Sequence, residues 1–106
     1  MAKYRNIITE FDGIKFRSKK EAYRYKELRL LEKGRLISEL KCHTPRDIIV
    51  NGIHICKYVD DFSYLDEYGQ LIIEDVKGMR KGAPYSMFTL KKKLLRATTG
   101  LEIIEI

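Results

Sequence analysis

The chain has 106 residues, of which 44% are hydrophobic and 34% charged, and one domain of this size buries roughly two-thirds of the surface its unfolded chain exposes. Its net charge of +6 points to a polyanionic partner, nucleic acid before an acidic membrane surface. No apolar run reaches the roughly 18–20 residues of a membrane span, and Met1 to Arg5 carry no signal-peptide core, so the composition excludes a membrane protein, a secreted disulfide scaffold and a multidomain enzyme, and the expected compartment is the cytoplasm.

In chain order, short β-like stretches from Asn6 to Phe16 flank Asp12-Gly13, a hairpin turn signal. Ser18-Lys-Lys-Glu21 matches the capping box S-x-x-E, which predicts a helix from Lys19 to Lys33. Ala22, Tyr25, Leu28 and Leu31 form its apolar stripe, with Glu21 on or beside that face, and Gly34 is placed at C′. Leu36–Cys42 reads as a strand, Pro45 as an interruption and Asp47–Val50 as a second extended stretch. Asn51-Gly52 is a two-residue hairpin turn into one long strand, Ile53–Tyr64. Asp66-Glu-Tyr-Gly69 turns the chain into a strand from Gln70 to Lys77, followed by a basic loop from Gly78 to Ala83. A second helix is predicted over Ser86–Thr98, with Met87, Leu90, Leu94 and Ala97 inward, closed by Gly100. Leu101–Ile106 is a terminal strand. The order predicts a single α/β domain over 1–106 with a mixed sheet flanked by helices.

Cys42 and Cys56 suit a reducing compartment. With His43 and His54 beside them they invite a zinc reading, but no two ligands share a tight C-x₂₋₄-C turn. Cys42 and His43, as neighbours on a strand, point to opposite faces.

Charge is distributed unevenly. Residues 1–47 hold 13 basic against 7 acidic side chains, residues 48–77 hold 2 against 6, and residues 78–106 hold 6 against 2. Four carboxylates of the acidic middle are Asp60, Asp61, Glu74 and Asp75. Alternation puts Asp75 and Lys77 on one face and Glu74 on the other. A three-residue loop, Glu67-Tyr-Gly69, sets Asp61 opposite Asp75 and Val59 opposite Lys77; a four-residue loop sets Asp61 opposite Glu74 and Asp60 opposite Asp75. Either register opposes like charges, at a cost of up to about 1 kcal/mol, and a divalent metal reverses that sign. Phosphodiester hydrolysis uses a hard cation to polarise a phosphoryl oxygen and acidify water; Mg²⁺ takes two or three carboxylates and retains waters. Lys77 then orients or deprotonates the water or offsets charge on the phosphate. The plainer alternatives are a salt bridge from Lys77 to Asp75, and a capping role that explains Glu21 without a metal.

The segments Phe11-Asp-Gly-Ile-Lys-Phe-Arg-Ser-Lys-Lys-Glu-Ala22, Tyr58-Val-Asp-Asp-Phe62, Ile73-Glu-Asp-Val-Lys-Gly78 and Leu90-Lys-Lys-Lys-Leu-Leu95 resemble the PD-(D/E)xK nuclease superfamily, most closely its small phage-encoded members, whose kin include Holliday-junction resolvases. Asp60 stands where the superfamily has a proline. The resemblance implies a restriction-endonuclease-like α-β-β-β-α-β core and a Mg²⁺- or Mn²⁺-dependent endonuclease acting on DNA. Glu21, Asp61 and Asp75 would be the metal ligands and Lys77 the catalytic lysine, with Asp60 or Glu74 as one-residue alternatives. Branched or structured DNA is the expected substrate, since no extra domain reads sequence. Lys19, Lys20, Arg80, Lys81 and the cluster Lys91, Lys92 and Lys93 are candidates for phosphate contacts. A symmetric dimer would pair two cuts; a phage-encoded protein would work in the host cytoplasm. The competing function is a non-catalytic DNA-binding or protein-interaction module on the same fold.

Overall fold

The computed structural model describes residues 7–78 and 80–106; Asn6, at the start of the first predicted β stretch, lies outside the described residues. The elements are β1 (Thr9–Phe11), β2 (Ile14–Phe16), α1 (Lys19–Lys33), β3 (Ser38–Cys42), β4 (Pro45–Val50), β5 (Ile53–Val59), β6 (Phe62–Leu65), β7 (Leu71–Asp75), α2 (Ala83–Thr99) and β8 (Ile103–Glu105). Strands β3-β6-β7-β8 form a mixed sheet in that order, with β8 parallel to β7 and the other pairs antiparallel. β1-β2 and β4-β5 are separate two-stranded hairpins. With the hairpins set aside, the chain runs α-β-β-β-α-β, a mixed α/β domain with helices flanking its sheet. Neither helix among the described residues is long and apolar enough to cross a membrane.

Local chemistry accounts for these elements. Asp12 and Gly13 both take positive φ, 52° and 74°, as do Asn51 and Gly52, 52° and 77°, the conformation that a two-residue hairpin turn demands. α1 starts where the capping box places it and ends at Lys33 as predicted, and the Ser18 side chain accepts from the Glu21 N–H. At its other end the expectation changes: Gly34 keeps φ −78°, and Arg35 takes the left-handed turn at 61°. Three of the four predicted stripe residues, Ala22, Tyr25 and Leu28, are buried with Phe16, Ile37, Phe62 and Tyr64, and Leu31 packs against them half-buried. That cluster fills the space between α1 and one sheet face. On the other face Ile73 and Ile103 meet Phe88 and Leu95 of α2, and Ile48 and Tyr58 of the β4-β5 hairpin.

Three expectations are corrected. Pro45 opens β4 rather than interrupting the chain before it, because the first residue of a strand has no ladder N–H to lose. The predicted strand Ile53–Tyr64 is two strands: β5 pairs with β4, the chain breaks at Asp60-Asp61, and β6 joins the main sheet. α2 begins at Ala83, with Pro84 in its first turn, where a missing N–H costs nothing. Its buried residues are Phe88 and Leu95, while Met87 and Leu90 are 55% and 51% exposed and Ala97 is exposed. Leu94 packs half-buried against the core as expected, but the stripe is otherwise shifted by one residue because the aromatic Phe88, with more area to bury, takes the inward position.

The phase of α1 predicts a sharp contrast between neighbours. Leu28 is 0% exposed and Leu30 is 69% exposed, so Leu28→Ala should lower the unfolding free energy by about 3 kcal/mol. Leu30→Ala should change it by less than about 0.5 kcal/mol. Urea titration followed by circular dichroism checks both.

Candidate functional site

The β6-β7 register settles which acids can meet. Leu65 pairs with Leu71 and Phe62 with Glu74, and the connection is the three-residue loop with Gly69 at φ 76°. One step beyond Phe62, Asp61 comes to face Asp75, its N–H donating to the Glu74 carbonyl at 3.2 Å. Val59 does not reach Lys77, because β5 has left for β4. Glu21, Asp61, Asp75 and Lys77 line one cavity of about 430 Å³. The four sequence candidates, drawn from α1, the β5-β6 break and the end of β7, are thus brought together.

Each acid is held by donors of the same chain. Glu21 is 3% exposed; its Oε1 lies 2.8 Å from His43 Nε2 and its Oε2 accepts from the Arg17 N–H at 3.4 Å. Ser18 therefore supplies only half of a capping box, since the Glu21 carboxylate is turned to Arg17 and His43. Asp61 accepts from the Val76 N–H at 2.7 Å. Asp75 accepts from the Tyr58 hydroxyl at 2.6 Å and from Lys77 Nζ at 2.9 Å. Lys77 Nζ also lies 3.3 Å from the centroid of the Phe88 ring. Burial, then the facing charge of Asp75, pushes the Asp61 carboxyl up to about 7. Burial and the same Asp75 charge raise the Tyr58 hydroxyl, which therefore remains a donor.

The alternative acids go elsewhere. Glu74 turns to the α1 face, where it accepts from Arg24 Nε and Nη2 at 2.7 and 2.6 Å and from the Tyr64 hydroxyl. The hydrogen bonds to Glu74, then its charge, raise Arg24 above the ordinary guanidinium range. Asp60, 0% exposed, accepts from the Thr44 N–H at 3.0 Å and from Arg46 Nε and Nη2 at 3.1 and 3.0 Å. Burial still raises its carboxyl, opposed by these donors.

The basic candidates divide. Lys91 lines the cavity and donates to the Lys57 carbonyl at 3.0 Å, tying α2 to β5. Lys20 Nζ donates to the Lys77 and Ile106 carbonyls at 2.7 and 3.1 Å, joining the first turn of α1 to the ends of the sheet. Arg80 and Lys92 converge on Glu105 at 3.3 and 2.8 Å, and with the Tyr85 hydroxyl they hold that carboxyl below its usual range. Lys19, Lys81 and Lys93 are exposed.

Arg17, Lys57 and Tyr58 of the lining, and His43, which meets Glu21 from a neighbouring cavity, were not read from the sequence. Tyr58 was hidden by the strand break, which frees β5 to approach the cavity. His43 was weighed only beside Cys42, as a zinc ligand. β3 ends at Cys42 and His43 takes φ 56°, so strand alternation no longer governs where its ring lies. Cys42 and Cys56 are free thiols, and burial, then the charge of Glu21, pushes Cys42 up to about 11.

The two kinds of acid predict opposite stabilities. Arg46→Ala strands the buried Asp60 charge and should destabilise by about 3 kcal/mol. Asp61→Asn keeps an oxygen for the Val76 N–H and removes the repulsion from Asp75, so it should be neutral or stabilising by up to about 1 kcal/mol. Thermal unfolding of both variants in metal-free buffer checks the signs.

The family model described as "Protein of unknown function (DUF1064)" matches residues 1–100, so the chain belongs to that family. No curated protein and no solved structure matches it.

Proposed function

We propose that this protein is a metal-dependent endodeoxyribonuclease. The observation that carries the reading is the convergence of Glu21, Asp61, Asp75 and Lys77 on one cavity, while the adjacent acids Asp60 and Glu74 are neutralised by arginines of the same chain. The donor set fits a hard divalent cation: Glu21, Asp61 and Asp75 are all buried, Lys77 is ion-paired to Asp75 alone among the described residues, and oxygen ligands suit Mg²⁺ or Mn²⁺. Glu21, Asp61 and Asp75 would hold the ion, which when bound polarises a phosphoryl oxygen and acidifies a coordinated water.

The protein's own groups supply the rest. Tyr58 and Lys77 each occupy one oxygen of Asp75, which fixes its carboxylate plane. Lys77, pinned between Asp75 and the Phe88 ring, presents an ammonium at the place where negative charge grows on an attacked phosphate. Arg17 and Lys91 line the same cavity and would receive the flanking phosphates, with Lys19, Lys81 and Lys93 extending the positive surface; such contacts make binding fall steeply with salt. Branched or structured DNA is the favoured substrate by the likeness to Holliday-junction resolvases, and a symmetric dimer would align two cuts.

Supercoiled plasmid and a synthetic four-way junction, incubated with Mg²⁺ or Mn²⁺ and separately with EDTA, test this. Nicking should require the metal and fall by about a hundredfold or more in Asp75→Ala and Lys77→Ala. Junctions shifted but uncut, alike for wild type and both variants, would replace the enzyme with a non-catalytic DNA-binding module.

A further inference from the structure

We infer that His43, which lines the neighbouring cavity with Tyr25 and Cys42, is a nitrogen ligand of a metal held with Glu21 and Asp61, so that the site selects a first-row transition ion, probed as Mn²⁺, over Mg²⁺. The inference rests on the reading of the cavity as a divalent-cation site and deepens it by naming the class of ion. Glu21 from α1, His43 from the turn after β3 and Asp61 from the break before β6 each place one ligand atom within 4.8 Å of the others. His43 Nε2 and Glu21 Oε1 are 2.8 Å apart; adjacent ligands on a six-coordinate ion with bonds of about 2.1 Å stand about 3 Å apart. A separate observation points to a cation. Asp61 is 8% exposed, its Oδ2 takes the Val76 N–H, and no donor among the described residues reaches Oδ1 although Asp61 lines the cavity.

The choice of ion follows from the ligand type. Carboxylate and water ligands serve Mg²⁺ and Mn²⁺ alike, whereas an imidazole nitrogen favours the transition ion. Coordination needs the lone pair on Nε2 and hence the proton on Nδ1. A His43 that instead donates from Nε2 to Glu21 would only position that carboxylate and would favour neither ion.

The test is isothermal titration of the full chain with MnCl₂ and with MgCl₂, without DNA. His43→Asn is the informative variant, since asparagine tolerates the φ of 56° at this position. The chain's other histidine, His54, lies exposed on the hairpin against Asp47, and His54→Asn is the control. Wild type should bind Mn²⁺ about tenfold or more tighter than Mg²⁺; His43→Asn should weaken Mn²⁺ by about tenfold and leave Mg²⁺ within about twofold. His54→Asn should change neither. Wild type that binds neither ion or both equally, or a His43→Asn that weakens both ions alike or neither, overturns the assignment. Should His43→Asn not fold, His43→Gln carries the same comparison. Cleavage of DNA by a protein with no Mn²⁺ preference would keep the nuclease and remove His43 from the metal, whereas Mn²⁺ selectivity without cleavage would do the reverse.

Discussion

Like-charge repulsion at the end of the β6-β7 ladder is the constraint around which this domain is arranged. Two adjacent acids on each side, Asp60-Asp61 and Glu74-Asp75, are all less than one-tenth exposed. A carboxylate that leaves water needs a cation or several donors to remain charged. The fold sorts each pair into one member neutralised by an arginine and one turned to the cavity. Glu74 turns to α1 and meets Arg24 in a two-pronged ion pair, and Asp60 meets Arg46 and the Thr44 N–H. Asp61 and Asp75 are left facing one cavity with Lys77. A chain shaped only for stability would have an arginine for these as well.

The β4-β5 hairpin links this electrostatic sorting to the architecture. Asp60, at the point where the chain leaves β5 for the main sheet, is the anchor that holds the hairpin through Arg46 and Thr44. So anchored, the hairpin delivers the Tyr58 hydroxyl to Asp75 and its Lys57 carbonyl to Lys91 on α2. Ile48 and Tyr58 pack under Phe88 and Leu95 in the same apolar cluster. The structural acid and the cavity acids are therefore coupled through one insertion: the Arg46–Asp60 pair sets the hairpin, and the hairpin sets one wall of the site.

Much of this was legible in the sequence where the signal was local. The two-residue turns at Asp12-Gly13 and Asn51-Gly52 and the bounds of α1 follow from side-chain and glycine chemistry within a few residues. The juxtaposition of Asp61 and Asp75 was one of two registers left open by the loop length, and the three-residue loop with Gly69 in the left-handed region selects it. What was hidden depends on tertiary choices. The break at Asp60-Asp61 has no glycine or proline to mark it; buried donors from Arg46 and Thr44 make it. The face of α2 turns on competition between Phe88 and its neighbours for one apolar slot. His43 reaches Glu21 only because β3 ends one residue earlier, at a position where helix and strand periodicity say nothing.

The electrostatic arrangement also bears on which partner the domain suits. Acids and cations share the cavity lining: Glu21, Asp61 and Asp75 stand beside Arg17, Lys77 and Lys91, and Lys19, Lys81 and Lys93 are exposed elsewhere on α1, the loop before α2 and α2. A bare polyanion would be attracted by the cations and repelled by the acids. A bare cation would be favoured by the acids and opposed by their neighbours. On the proposed reading, occupancy of one position would offset the unfavourable field felt at the other, so that ion and polyanion would bind with mutual support. A phosphodiester backbone with a divalent ion beneath it would satisfy both kinds of group at once. Lys77 is held by Asp75 on one side and by the Phe88 ring on the other, so its amine is fixed in place by the chain's own contacts.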